Sequence, residues 1–342
     1  MAKRIEWIDI TKALAMFAIV LGHTLRSGPV QTYLITFHVP LFFFLSGLVF
    51  STKKYTSFSS YLLAKVKTIL VPYFAFGLVS VLIFLVFGRF AGDVLEQGID
   101  SKWWEHFVAL LYGNTRVFSL QANLPLWFLP CLFVVQMLYY PIDRYLLKKS
   151  YSPYIAAAGF ALLAGLNYYV FHVFGFPFNM ETAVLMSSFF ALGMAFKRGK
   201  LFEKAKRFSY AETLCGVALV AAGAALGLYN GHMAYTWYEY GNFFFFLTAA
   251  LCGCYGWLMI CRNLPAYRAL SYTGASTLAI LVMHKFPILF FQTVVPGVSG
   301  LLKNNEVITG VLVSIVSMAL CILAQEIIYK LYPPLLGRPA NS

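Results

Sequence analysis

Lys12 and His23 stand eleven residues apart in an apolar stretch near the start of the chain. On a helix, eleven steps bring both side chains to within about 20° of one face, about 16 Å apart along the axis. Asp9 falls within about 40° of that face, and Arg26 follows His23 by one helical turn. Asp9, Lys12, Met16, His23 and Arg26 therefore form a stripe on an otherwise apolar segment. Ionisable groups in hydrocarbon are costly and usually mark function. Asp9 and Lys12 pair at i,i+3, with Lys12 reaching the interface along its own stem. That pairing leaves His23 unexplained. A neutral imidazole can take a proton from a hydroxyl, which makes His23 the candidate general base. His38, in Phe37-His38-Val39-Pro40, lies toward the same end of the next apolar run. Arg26, His38 or a backbone N–H would stabilise an oxyanion, with a plain helix-capping role as the other reading of His38. Ser46 is either a nucleophile in need of a base or, with Gly47, a close-packing site. His284 and Lys285 sit mid-run near Pro287, where a desolvated lysine seeks a partner. Trp127 reads as an interface anchor, with a sugar-stacking platform as its second reading.

The elements that carry these groups follow from composition. Hydrophobic residues make up 60% of the 342-residue chain and charged residues 11%. Such a chain cannot clothe itself in polar surface, so its solvent is lipid. The expected fold is all-α: a polytopic membrane protein of about ten spans forming a single domain over 1–342. The spans fall near 7–27, 34–51, 69–89, 126–147, 154–174, 181–197, 210–229, 241–261, 271–295 and 307–329. The longest gap, 90–125, carries Asp93, Glu96, Asp100 and Glu105, then Trp103-Trp104 and an apolar patch to Tyr112. It reads as a loop with a short interfacial helix. Gly223 and Gly227 permit close helix approach. Phe243–Phe246 reads as lipid contact. His106, His172 and His232 fall in or near outer loops and are expected to meet water, and Gln325-Glu326 has no assigned role. Pro130 and Pro287 are expected to interrupt their spans.

The net charge of +13 could signal nucleic acid, but its placement says otherwise. With a cytoplasmic N-terminus, nineteen of the 26 lysines and arginines fall inside and five outside, and Lys12 and Lys285 lie within spans. Both termini are then cytoplasmic, and no nucleic acid is needed. The start, Lys3-Arg4 before Ala13–Gly22, is broken by Glu6, Asp9 and Lys12 and lacks a cleavage site, so it reads as a retained span. The six cysteines lack zinc spacing and read as small packing residues; no metal is expected.

The stretch from Arg4 through Asp9 and Lys12 to Gly22-His23, followed by FHVPLFFFLSG, resembles the acyltransferase-3 family of integral membrane acyltransferases. The likeness is nearest to its polysaccharide O-acetyltransferases, including fucose 4-O-acetylase-like proteins. Lys12 and His23 fit the family's basic residue, ten residues, then His, with lysine where arginine is common. Lys65-Val-Lys67 resembles its paired basic motif in a cytoplasmic loop before the third span, and Leu126-Trp127-Phe128-Leu129 and Met283-His284 match later ones. The resemblance implies transfer of an acyl group, usually acetyl, from cytoplasmic acyl-CoA to an extracytoplasmic saccharide or lipid-linked glycan in a bacterial inner membrane. It also implies the stand-alone type, with no appended hydrolase-like domain after the tenth span. Lys12, Lys65 and Lys67 would hold the CoA phosphates, Lys65 and Lys67 having a plain topology role as the other reading. The 16 Å gap suits an extended pantetheine arm. An acyl-histidine intermediate is a variant of direct transfer. A ten-span transporter or lipid-linked sugar flippase is the alternative, on the strength of the buried charges and the two prolines.

Overall fold

The computed structural model describes residues 5–87, 103–149, 151–199, 208–265, 267–293 and 305–338. Among them every regular element is a helix, apart from a lone bridge between Ala234 and Glu239. The protein is an all-α polytopic membrane protein. Lipid offers no hydrogen bonds to a backbone, and a helix satisfies its N–H and C=O groups within one segment.

Helix α1 spans Glu6–Thr24 and α2 spans Pro29–Val49, joined by a turn in which Gly28 takes a φ of 106°. Gln31 closes the end of α1 by donating to the Gly22 and Leu25 carbonyls. A Ser57–Ser60 capping box starts α3 (Phe58–Lys65), which passes through a π turn at Val66–Leu70 into α4 (Val71–Phe87). Helix α5 (Trp103–Tyr112) is the short helix expected in the longest gap. A 3₁₀ segment, Gln121–Trp127, leads into α6 (Phe128–Pro141). Helices α7 (Ser152–Leu166), α8 (Met180–Arg198), α9 (Tyr210–Asn230) and α10 (Phe243–Asn263) follow. Three short helices come next: α11 (Arg268–Ala275), α12 (Thr277–Met283) and α13 (Lys285–Thr293). Helix α14 (Glu306–Leu331) ends the described chain with a 3₁₀ turn at Pro333–Leu336.

Helices α1, α2 and α8 form the interior, whereas α7 and α9 expose most of their length. Small residues set the closest crossings. A Cβ on Gly47 would overlap the Phe190 carbonyl, and one on Gly193 would overlap Phe44, so α2 and α8 meet backbone to backbone. That fulfils the packing reading of Ser46-Gly47. Gly223 faces the Ala249 carbonyl across α9 and α10, as its spacing implied, and Gly216 and Gly256 face each other along the same seam. Gly274 brings α11 onto the Asp9 backbone of α1.

Several expectations change. Nine helical runs among the described residues are long and apolar enough to cross a membrane. The expected span 271–295 is instead α11 to α13, broken at Ser276 and His284. Pro287 lacks the N–H that would close a bond to Met283, and Ser276 is held sideways by Gln325, which donates to its hydroxyl at 2.9 Å. Gln325, given no role from sequence, thus fixes this break. Pro130 does not interrupt its span: it lies in the first turn of α6, where no N–H partner is required. Lys65 and Lys67 are not in a loop, because the capping box starts the helix before them. Of Phe243–Phe246, Phe243 and Phe246 are buried while Phe244 and Phe245 face outward, as two sides of a helix must. His106 is buried, 4.4 Å from the Phe84 ring. His172 and His232 are exposed as expected. The topology charges Lys3, Arg4, Arg89, Lys102, Lys200, Lys204, Lys206, Arg207 and Lys303 lie outside the described residues. So do Asp93, Glu96 and Asp100.

Candidate active site

Two cavities lie end to end along α1. The lower one, about 180 Å³, is lined by Lys12, Met16, Ser46, Leu132 and Thr277, among others. The upper one, about 540 Å³, is lined by His23, Arg26, His38, Trp127, Lys285 and the loop from His232 to Trp237. Ile19, Phe128 and Leu281 line both, so the two share an apolar wall. The face of α1 read from helical spacing is thus the face that lines the hollow interior. Its stripe runs Lys12, Met16, Ile19, His23. Arg26 lies beyond the end of α1, yet still faces the upper cavity.

At the lower end, Lys12 Nζ lies 3.6 Å from Asp9 Oδ1, and Asp9 is buried beneath α11. Ser46 has no hydrogen-bonded base beside it among the described residues. Lys65 and Lys67 line neither cavity. Lys65 lies over the Tyr61 ring, 5.2 Å from its centre, and Lys67 is exposed.

At the upper end three imidazoles gather. His23 and His284 have ring centres 5.4 Å apart, and His38 and Lys285 line the same cavity as His23. His284 is fully buried. Its Nδ1–H donates to the Ile280 and Leu281 carbonyls at 2.9 and 3.0 Å, which leaves the lone pair on Nε2. That Nε2 has no hydrogen-bond partner among the described residues. His38 donates Nδ1–H to the Leu34 carbonyl in the same manner. A backbone bond on one nitrogen thus orients each ring and fixes its tautomer. His23 itself makes no side-chain hydrogen bond to the described residues. It is a half-buried base facing a cavity that Arg26 and Lys285 also line. Such a site can take a proton from a hydroxyl while cations meet the negative charge that develops on a carbonyl oxygen.

The loop over the upper cavity escaped sequence reasoning. Pro40 in α2 has no N–H, which frees the Thr36 carbonyl. Tyr235 fills that vacancy, its hydroxyl shared between Ile35 O at 2.7 Å and Thr36 O at 2.9 Å. Tyr238 donates to the Glu181 carbonyl at 2.7 Å, and burial pushes its hydroxyl up to about 12, so it stays a donor at neutral pH. Trp127 stacks on Tyr235, ring centres 6.5 Å apart, and turns its half-buried face to the cavity. Asn123 was also missed. Buried in the 3₁₀ segment, it donates to Ser80 at 3.1 Å and to the Val282 carbonyl at 3.0 Å. It therefore ties α4 to α12 beside His284. A polar residue two positions before Pro125 was the available signal.

The protein is thus a helical membrane protein hollowed along its first helix, with imidazoles in one cavity and Lys12 in the other. The chain matches the family model described as an acyltransferase domain (acyltransferase-3) over residues 5–326, and it belongs to that family. It is a membrane acyltransferase. No curated protein and no solved structure matches it.

Proposed function

We propose that the protein is an acyl-CoA-dependent O-acyltransferase that moves an acyl group, foremost acetyl, onto a hydroxyl of an extracytoplasmic or lipid-linked saccharide. The polysaccharide O-acetyltransferases, including the fucose 4-O-acetylase-like proteins, are the branch of the family that its N-terminal motifs favour. The single observation that supports this reading is the pair of adjoining cavities that share the wall of Ile19, Phe128 and Leu281, with Lys12 in one and His23 in the other. A thioester on a long thin arm can reach His23 from the Lys12 end while the acceptor enters from the loop end.

Lys12, steadied by Asp9, carries positive charge at the inner end, and Lys65 and Lys67, which line neither cavity, would meet the CoA phosphates outside them. His23 takes the acceptor hydroxyl proton as that oxygen bonds to the thioester carbonyl carbon. Arg26, His38 and Lys285 face the oxygen that turns negative. The carbon–sulfur bond then breaks, and the leaving thiolate recovers the proton from His23. On this reading Lys12 and both termini lie on the cytoplasmic side, with a bacterial inner membrane as the host membrane that the family resemblance implies, and the lysine and arginine distribution supports that orientation.

The test uses purified protein with radiolabelled acetyl-CoA. Replacing His23 with Ala should lower acyl transfer at least about 100-fold, the usual worth of a general base, and keep CoA affinity within about threefold. Full activity in that variant removes His23 from the role. A transporter, the reading to which the broken ninth span lends itself, would neither bind CoA nor slowly hydrolyse its thioester.

A further inference from the structure

A third hollow, about 450 Å³ and open to solvent, lies beside the upper cavity. Arg116, Tyr168, Tyr169, Phe174, Trp237 and Glu239 line it. Trp237 also lines the upper cavity, so the two spaces meet at one residue. An occupant of the outer hollow therefore adjoins an occupant of the reaction chamber.

The lining has two kinds of surface. Tyr169 and Trp237 present exposed aromatic rings. Between them stand charges of both signs: Arg116, whose guanidinium lies 4.4 Å from the centre of the Phe174 ring, and Glu239, 3.6 Å from His232. A lipid tail has use for the rings and none for the charges. A sugar uses both, since its C–H faces lie on aromatic rings while its hydroxyls bond to charged side chains. Aromatic residues at a membrane interface also serve as anchors, but anchoring does not call for a concave wall holding an arginine and a glutamate.

The wall is also held in shape. Ala234 and Glu239 exchange two backbone hydrogen bonds at 2.9 and 3.1 Å. Tyr235 is fastened to α2, Tyr238 to the Glu181 carbonyl, and Tyr168 donates to the Gly241 carbonyl at 2.9 Å. A loop fastened at both ends and in the middle loses little freedom when a ligand settles on it, which favours binding.

We infer that this outer hollow is a distal subsite for the acceptor, holding the sugar unit next to the one whose hydroxyl reaches His23, so that the enzyme acts on a glycan chain in preference to a free monosaccharide. The inference rests on the saccharide acceptor proposed above.

The experiment uses the full-length protein in detergent, acetyl-CoA as donor, and two pools of acceptor. Partial hydrolysis of the surface glycan of the cell that makes the protein supplies monosaccharides and chains of a few units. Arg116→Ala and Glu239→Gln, both at exposed positions, are compared with the parent. Each variant should raise KM for the chains about tenfold, the worth of one hydrogen bond to a charged group, and leave kcat and transfer to monosaccharides within twofold. Thioester hydrolysis without acceptor should not change. Equal loss on both pools, or no loss on either, overturns the subsite and leaves an aromatic anchor. Hydrolysis of acetyl-CoA with no transfer to any saccharide instead overturns the acceptor reading, and the subsite falls with it.

Discussion

His284 is held by the carbonyls of the preceding helix and keeps a bare Nε2 on a ring centred 5.4 Å from that of His23. Its role therefore depends on which nitrogen is kept. Glutamine places an acceptor near the position of Nε2, whereas asparagine reproduces only the inner donor. His284→Gln should retain acyl transfer within about tenfold, and His284→Asn should lose more than that, since a displaced catalytic neighbour costs one to two orders of magnitude. The measurement is kcat with CoA affinity in parallel. Equal rates in the two variants would mean that the ring serves only packing. At this scale the sequence was partly legible. Lys12 and His23 were found because helical spacing relates residues on one element, and the stripe they define does face the cavities. Tyr235 and Trp237 were invisible, because their positions depend on a carbonyl freed by Pro40 on a distant helix. Lys65 and Lys67 were selected by resemblance, and neither lines a cavity.

At the scale of helices, the interior depends on crossings that have no room for a side chain. Gly47 on α2 faces the Phe190 carbonyl of α8, a backbone atom that cannot swing aside. Gly47→Ala should cost about 1–3 kcal/mol, the range for overfilled interiors, and lower the melting temperature in detergent. Gly159 on α7 meets nothing within 4 Å. There Gly159→Ala should raise the melting temperature or leave it unchanged, because alanine gains up to about 1 kcal/mol of helix propensity. A drop in both variants would refute this account of the packing. Apolar length made nine of the spans legible. The breaks within the ninth expected span went unread because hydropathy weighs residue type and is blind to backbone bonding. Ser276 and Pro287 leave the apolar average intact while breaking the ladder, and the partner that fixes one break, Gln325, lies on another helix.

For the whole molecule, the charge distribution predicts a fixed orientation. With both termini cytoplasmic, a cysteine introduced at His232 should react with a membrane-impermeant maleimide on intact cells. One introduced at Lys148 should react only after the membrane is opened. The opposite pattern would invert the proposed entry sides of donor and acceptor. The family, by contrast, was legible from the first fifty residues, because the stripe and the FHVPLFFFLSG run fall on α1 and α2, which line both cavities. The partition made by Ile19, Phe128 and Leu281 has a consequence for the host. A catalyst excavated from opposite ends risks becoming a leak for protons and salt. An oily collar between the chambers opposes passage of hydrated ions, as hydrophobic constrictions do in closed channels. On the proposed donor route, the cell would keep its voltage while a neutral acyl group goes where no ion follows.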